Sequence, residues 1–189
     1  MRPLLIIVHG VPGSGKTTLV RRLKQELGLP SLSKDDIKEP LYVTLGAKDL
    51  EWKKLLGRAA IEMLYAGAEQ ILASKQSLII ESAFFPEFSR KPLTAMAKRT
   101  KAFTAEVYCQ IDHKIAKQRY INRTESGERD ANHKDQLHYA LLEDPAFWAQ
   151  YPPLDIGVRL TFDSDTSDEA AFATLVHDLR EVVRKEATA

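Results

Sequence analysis

The chain has 189 residues and a mass of 21.3 kDa, which is enough for one domain with its own hydrophobic core. Hydrophobic residues make up 44% of the sequence and charged residues 28%, a balance that excludes a disordered chain, a collagen-like repeat and a bilayer-spanning protein. The net charge of +1 argues against strong non-specific binding to nucleic acids.

The first predicted element is a strand over Leu4–His9, a continuous apolar run typical of a strand buried on both faces. The N-terminal segment lacks the cleavage region of a signal peptide and is too short to cross a membrane. The single cysteine, Cys109, has no partner for an intramolecular disulfide and lies in an apolar run, where we expect a small core residue. We therefore expect a reduced, cytoplasmic protein with no membrane partner.

Strand-like runs alternate with helical patterns along the rest of the chain. Helices are predicted at 15–27, 49–74 (as one helix or two), 92–101 and 112–123, at a stretch reaching 143, and at the C-terminus, where an apolar stripe runs from Phe172 to Val183. Further strands are predicted at 31–33, 78–82, 103–111 and 158–162. This order predicts a single α/β domain over 1–189, with a five-stranded parallel sheet between two helical layers.

The strongest motif is GVPGSGKT at Gly10–Thr17, followed by Thr18. It satisfies Gly-x-x-x-x-Gly-Lys-Ser/Thr and lies between a predicted strand and a predicted helix, as a phosphate-binding P-loop requires. Glycines let consecutive backbone N–H groups approach an anion, and the helix N-terminus adds positive potential. In such loops the lysine neutralises the β- and γ-phosphates, and the following hydroxyl binds Mg²⁺. The sequence therefore predicts a site for ATP and Mg²⁺, formed by Gly10, Pro12, Gly13, Ser14, Gly15, Lys16, Thr17 and Thr18, with Thr17 as the metal ligand.

Two other P-loop classes fit the sequence poorly. A GTPase needs Asn-Lys-x-Asp after an apolar strand, whereas the nearest string, 132–135, has the wrong order in a polar segment. A ring-forming ATPase would need a longer chain with a helical appendage.

Beyond the P-loop, the chain resembles small P-loop kinases: the polynucleotide 5′-kinases, the zeta-toxin-like kinases and predicted kinases described as AAA-type ATP-binding proteins. The residues that carry this resemblance are the segment SKDDIK at 33–38 and two arginines four residues apart, Arg119 and Arg123. The resemblance implies a three-layer, nucleoside-monophosphate-kinase-like fold with a lid. It also implies that Asp35 accepts or orients the proton of the acceptor hydroxyl and that Lys38, at a position often occupied by arginine, contacts the acceptor. Arg123 would reach the transferring phosphoryl group, and Arg119 would lie against the nucleotide.

A second, partial match lies in the polar segment 124–135, which we expect to be the lid loop. Predicted kinases of this group have a pattern close to Arg-His-Pro-Gly-His-x-Asp, of which this chain keeps Arg129, His133 and Asp135. The resemblance implies that Arg129 and His133 contact the acceptor, together with the helical region 36–75.

Several of these residues have a second interpretation. Asp35 could be the N-cap of a helix that begins at 36 or 37, and the two arginines could form a solvated helix face. Glu81, at the carboxyl end of the third strand, could contact the acceptor or Mg²⁺-bound water, or could simply be a solvent-exposed strand end.

Three further segments contain candidate packing or binding residues. Phe84–Pro86 could line an acceptor pocket or serve packing alone. Phe147, Trp148 and Tyr151 are expected to pack under the last helix. Residues 163–166 are a candidate contact with the nucleotide.

The function we expect is ATP- and Mg²⁺-dependent transfer of a phosphoryl group to a hydroxyl group on a small molecule. Two alternatives stay open. One is a polynucleotide 5′-hydroxyl kinase, in which nucleic acid is an end substrate only. The other is an ATP-binding switch or ATPase that acts on a protein partner. The acceptor-binding segments have no pattern that identifies the acceptor.

Overall fold

The fold was analysed in a computed structural model, which describes residues 2–46, 48–126, 135–166 and 168–188. Five parallel strands form one sheet in the order β2–β3–β1–β4–β5. They are β1 (Leu4–His9), β2 (Ser31–Ser33), β3 (Leu78–Glu81), β4 (Phe103–Gln110) and β5 (Val158–Asp163). All six residues of β1 are buried, which explains its continuous apolar run. The predicted strands are confirmed, each to within one residue at its ends.

Seven α-helices and one 3₁₀-helix connect and flank these strands in the described part of the chain. The α-helices are α1 (Lys16–Leu27), α2 (Lys34–Leu45), α3 (Leu50–Ala73), α4 (Pro86–Thr100), α5 (His113–Glu125), α6 (Pro145–Trp148) and α7 (Glu169–Thr188), and the 3₁₀-helix is Asp135–Glu143. Two helix ends are capped: Gly28 ends α1 in the left-handed conformation, and the Asp112 carboxylate accepts the N–H of Lys114 at 2.7 Å. None of the helices among the described residues is long and apolar enough to cross a membrane.

The predicted start of α4 is wrong. The helix expected from Pro92 begins six residues earlier, with Phe85 as N-cap and Pro86 in its first turn. Both prolines satisfy the rule that proline favours a helix start, because its missing N–H costs nothing there. Pro92 instead lies inside α4, as Pro40 lies inside α2.

The core has a layer on each face of the sheet. On one face, Leu4, Ile6 and Val8 of β1 pack against α1 and α7. On the other face, Leu5 and Ile7 pack against α3 and α4. The three-layer α/β fold predicted from the order of the elements is therefore confirmed.

A third apolar cluster lies past the carboxyl ends of the strands and includes Val11, Ile111 and Tyr120. The aromatic side chains of Phe147, Trp148 and Tyr151 belong to this cluster, in which Ala116 and Tyr120 of α5 take part. The expectation that they pack under the last helix is wrong, because α7 belongs to a different cluster, on one face of the sheet, through residues such as Phe172 and Leu175.

Strand order fixes where a ligand crevice forms. The chain leaves β1, adds β2 and β3 on one side of it, and then crosses to add β4 on the other side. In open α/β sheets, the crevice lies beyond the carboxyl end of the strand at which the order reverses. That strand is β1, and the loop that follows it is the glycine-rich motif.

Candidate active site

The loop Gly10–Gly15 joins β1 to α1 and turns sharply back onto the helix N-terminus. Gly13 has a φ of 83°, and a Cβ at this position would lie only 2.2 Å from the Ala116 carbonyl oxygen. No residue with a side chain would fit there without moving α5. The Ser14 N–H donates to the Val11 carbonyl at 3.2 Å, which holds the turn. The result is a compact backbone cradle that opens at the N-terminus of α1, as anion binding requires.

The Lys16 ammonium lies inside this cradle. It donates to the Gly10 carbonyl at 3.1 Å, to the Val11 carbonyl at 2.8 Å and to the Ser14 hydroxyl at 3.4 Å. Burial lowers the pKa of Lys16 from its usual value, while the nearby carboxylates of Glu81 and Asp35 act to raise it. The P-loop lysine therefore lies within the electrostatic reach of both predicted carboxylates.

Glu81 ends β3, directly beside β1 in the sheet. Its side chain is buried, and it accepts a hydrogen bond from the Ser33 hydroxyl at 2.9 Å. Burial raises the pKa of Glu81, which Lys16 and the Ser33 hydrogen bond act to lower. The alternative of a solvent-exposed strand end is therefore wrong for Glu81.

Asp35 lies in the first turn of α2, which follows β2 without a loop. The helix begins at Lys34 with Ser33 as N-cap, so the prediction that Asp35 caps a helix starting at 36 or 37 is wrong. Its carboxylate is close enough to influence the pKa values of both Lys16 and Glu81. Because a helix N-terminus favours negative charge, the position suits an ionised carboxylate.

The two arginines of α5 face the P-loop region. Arg119 donates to the Ser164 carbonyl at 3.2 Å and lies 3.5 Å from the Asp165 carboxylate. Arg123, one turn further, lies with its guanidinium 5.9 Å from the Tyr120 ring centre and is close enough to lower the pKa of Lys16. Arg119 is exposed and Arg123 is half-buried, so the alternative of a solvated helix face is wrong for Arg123 alone.

The segment after β5 closes the other side of the cradle. A Cβ at Gly15 would lie 3.6 Å from the Cβ of Ser164, so this turn covers the P-loop. The Asp163 carboxylate accepts the N–H groups of Asp165 and Thr166, and the pKa of Asp163 is held low by these hydrogen bonds. Predicted nucleotide contacts at 163–166 and at Arg119 thus lie together beside the P-loop.

This geometry can be compared with that of known proteins. A family model for the AAA domain matches residues 5–143, about three quarters of the chain. The chain belongs to this AAA domain family. No curated protein matches the sequence.

Solved structures similar to this AAA domain include kinases. A "putative kinase" from Chloroflexus aurantiacus is 34% identical and has a TM-score of 0.86, with 96% of this chain and 98% of that chain covered. Kti12 from Chaetomium thermophilum, in complex with ADP-AlF3, has 18% identity, a TM-score of 0.61 and coverages of 94% and 97%. The APS kinase of Mycobacterium tuberculosis, in complex with AMPPNP and APS, has 17% identity, a TM-score of 0.57 and coverages of 97% and 98%. The fold of the AAA domain is therefore that of the P-loop kinases.

The remaining predicted residues fall in four groups. Thr17 and Thr18 are exposed at the start of α1, and Pro12 is half-buried in the loop. Lys38 is buried between α2 and α3. Arg129 and His133 lie outside the described residues, as does most of the predicted lid, whose first residues, 124 and 125, belong to α5. In the segment Phe84–Pro86, the side chain of Phe84 packs in the core of the AAA domain, where it is fully buried.

Sequence reasoning missed a buried polar cluster behind the P-loop. His9 ends β1, and its Nε2 donates to the Glu106 carboxylate at 2.7 Å, with both side chains fully buried. Glu106 also accepts the N–H groups of Leu154 at 2.7 Å and Ile156 at 3.2 Å. The Tyr108 hydroxyl donates to the Tyr151 carbonyl at 3.2 Å. This cluster ties the end of β1 to the segment 151–157, which precedes β5.

The sequence contains a local signal for each member of this cluster, but none for their pairing. His9 and Glu106 interrupt two apolar strands, which marks each as a buried polar residue in need of a partner. Nothing in the sequence pairs them, because 97 positions separate them.

Proposed function

We propose that this AAA domain transfers the γ-phosphoryl group of ATP to a hydroxyl group on a small molecule. The observation that carries the proposal is the placement of Asp35 in the first turn of α2 and of Glu81 at the end of β3, where both carboxylates lie within electrostatic reach of Lys16. An ATP-binding switch has no need of a carboxylate at the position of Asp35. The likeness to an APS kinase holding AMPPNP and APS supports ATP and a small acceptor.

Magnesium fits the residues of the P-loop. Mg²⁺ in such sites takes few protein ligands and several phosphate and water oxygens, so the hydroxyl of Thr17 suffices as its protein ligand. Bound with ATP, Mg²⁺ would neutralise charge on the β- and γ-phosphates.

The residues of the chain then divide the chemistry. The backbone N–H groups of the P-loop hold the phosphates, and Lys16 exchanges its present partners, the Gly10 and Val11 carbonyls, for phosphate oxygens. Asp35 takes the proton of the acceptor hydroxyl while the oxygen of that hydroxyl bonds to the γ-phosphorus. The bond between the γ-phosphorus and the β,γ-bridging oxygen breaks at the same time, and ADP is released. Arg123 stabilises the charge on the moving phosphoryl group, and Arg119 holds the nucleotide.

Glu81 has a positioning role in this scheme. Its carboxylate is fixed by Ser33 and faces the same lysine as Asp35. We infer that it orients Lys16 or a Mg²⁺-bound water, and that Lys38 contacts the acceptor beyond Asp35. Arg129 and His133 stay candidate acceptor contacts on the strength of the sequence pattern alone.

The test is transfer of label from γ-labelled ATP, with Mg²⁺, to a panel of nucleosides, sugars, nucleotide sugars, aminoglycosides and 5′-hydroxyl oligonucleotides. The variant Asp35→Asn should lose about 10²–10⁴-fold in transfer rate and keep its affinity for ATP. Asp36→Asn changes the exposed neighbouring carboxylate and serves as the matched control, with a rate within twofold of wild type.

Two outcomes would contradict the proposal. Label that appears only in inorganic phosphate, at equal rates in the wild type and in Asp35→Asn, would indicate an ATPase or switch. Label that enters oligonucleotides in strong preference to every small molecule would indicate a polynucleotide kinase.

A further inference from the structure

The segment that follows β3 lies between the two halves of the candidate site. The strand order is β2–β3–β1, and α2 with Asp35 follows β2 while the P-loop follows β1. The carboxyl ends of parallel strands meet at one edge of a sheet, so the segment 82–85 leaves that edge between Asp35 and the phosphate cradle. An acceptor that reaches from Asp35 to the γ-phosphate therefore passes beside this segment and the first turn of α4.

Aromatic rings line this segment. Phe84 is fully buried, and its ring centre lies 6.4 Å from that of Tyr65 of α3, with an angle of 14° between the rings. Phe85 is half-buried, with its ring centre 4.9 Å from that of Tyr151. The outermost ring is that of Phe88, which meets Phe85 edge to face at 6.5 Å and is 69% exposed. A single exposed apolar side chain is ordinary, but Phe88 extends a surface of packed rings into solvent.

Phe88 lies on the side of α4 that faces α3. The Arg99 guanidinium of α4 donates to the Glu69 carboxylate of α3 at 2.6 Å, which marks that side of the helix. Phe88 precedes Arg99 by about three turns, so it points within about 20° of the same direction and lies about 16 Å nearer the carboxyl edge of the sheet. Arg90, by contrast, donates to the Leu154 carbonyl at 2.6 Å, on the side of β5.

The α3 side of α4 is also the side of Asp35. Helix α3 covers β2, since a Cβ at Gly67 would lie 3.3 Å from Leu32 Cδ1. Asp35 follows β2 directly, in the first turn of α2. The exposed ring of Phe88 and the carboxylate of Asp35 therefore lie on the same side of the crevice.

A planar ring is the chemical group that gains most from this surface. Such a ring stacks on an aromatic face, or packs against its edge, at centroid separations of about 4.5–7 Å. In proteins that bind single-stranded nucleic acids, one base stacked on an aromatic side chain contributes about 5–150-fold in affinity. A sugar or polyol has no π face to offer. An acceptor that carries a planar ring beside its hydroxyl group therefore binds this surface better than a sugar does.

We propose that Phe88, packed on Phe85, is a stacking surface for a planar ring of the acceptor, so that the acceptor is a nucleoside-like alcohol instead of a sugar or polyol. That this ring belongs to the acceptor rests on the proposed kinase function, whereas the ring-binding surface itself does not. The base at the 5′ end of an oligonucleotide offers the same ring, and the second experiment below separates the two sources.

The first experiment measures ring binding without catalysis. With the P-loop filled by AMPPNP and Mg²⁺, adenosine, cytidine and methyl β-riboside are titrated into the protein and followed by saturation-transfer NMR. We expect saturable binding of at least one nucleoside and none of the riboside. The affinity for that nucleoside should fall at least about fivefold in Phe88→Ala and Phe88→Leu, which lack the ring, and should be kept in Phe88→Tyr. Val158→Ala changes an exposed apolar side chain at the opposite edge of the sheet and should bind as the wild type does. No saturable nucleoside binding, wild-type affinity in Phe88→Leu, or an equal loss in Val158→Ala would overturn the proposal.

The second experiment assigns the ring to the acceptor. Phosphoryl transfer from γ-labelled ATP is compared for methyl β-riboside, the two nucleosides and a 5′-hydroxyl dinucleotide, all of which present a 5′-hydroxyl group. At least one nucleoside should have a kcat/KM at least about tenfold above that of the riboside, and Phe88→Ala should reduce that ratio at least about fivefold with little effect on the riboside.

The outcomes separate the two proposals. A ratio near one in the wild type, or a dinucleotide preferred about tenfold over every nucleoside, would refute the assignment of the ring to a small acceptor. Transfer to a sugar but to no nucleoside would refute that assignment and leave the kinase function intact. If nucleosides bind and no acceptor of any class is phosphorylated, the kinase function fails while the ring-binding surface stands.

Discussion

Replacement of Glu106 with alanine would remove the acceptor shared by three buried donors: His9 Nε2 and the N–H groups of Leu154 and Ile156. A buried donor left without an acceptor costs about 1–3 kcal/mol, so three donors give a loss of about 3–9 kcal/mol. Water that enters the vacated space can accept some of these hydrogen bonds and so reduces the loss of stability. We therefore expect Glu106→Ala to lower the free energy of unfolding by about 4 kcal/mol. For a chain of this size, this corresponds to a fall of roughly 8–16 °C in Tm.

The assay is urea unfolding followed by circular dichroism, with Glu106→Gln and Glu143→Gln measured alongside. The glutamine variant keeps one acceptor oxygen but turns an N–H group toward one of the donors, so its loss should be smaller than that of alanine. Glu143 is exposed, and its replacement should cost less than about 1 kcal/mol. A loss below about 1 kcal/mol in Glu106→Ala would refute the reasoning, since these hydrogen bonds would then contribute little to holding the segment before β5.

Three further outcomes are expected. Burial alone would raise the pKa of Glu106, but its hydrogen bonds hold that pKa below the usual value. The stability that Glu106 contributes is therefore present above about pH 4.5 and is lost as the pH falls. The unfolding free energy of Glu106→Gln should lack this acid-dependent component, and the same slope against pH as in the wild type would contradict the direction of the shift. Gly13→Ala should weaken ADP binding at least tenfold in a fluorescence titration, because the new Cβ would clash with the Ala116 carbonyl. Gly28→Ala is the control: its Cβ would point into open space, so the variant should lose about 1 kcal/mol of stability and keep its affinity for ADP. Ser33→Ala removes a hydrogen bond that favours the ionised form of Glu81, so the pKa of Glu81, followed by NMR, should rise further; a fall would refute the assignment of that bond.

Local sequence patterns were sufficient to predict the strands of the sheet and the P-loop. A six-residue apolar run, a glycine motif and the helix caps at Gly28 and Asp112 each depend on neighbours within a few positions. The start of α4 could not be decided in this way, because Pro86 and Pro92 satisfy the same local rule and tertiary packing chooses between them.

Part of the site needed contacts that no local pattern contains. The pairing of His9 with Glu106 spans 97 positions.

The covering of one face of the sheet by α7 has a consequence for how the protein is synthesised. Phe172, Leu175, Val176 and Leu179 belong to the same core layer as Leu4, Ile6 and Val8 of β1, yet they are synthesised after all five strands of the sheet. Until then, α1 is the only described helix of this layer that covers Leu4, Ile6 and Val8. A nascent chain that ends at residue 143, where the family match ends, would expose this surface and lack β5. Folding of this layer is therefore expected to be completed only after α7 has been synthesised, and a chaperone that shields apolar strands would act on the intermediate.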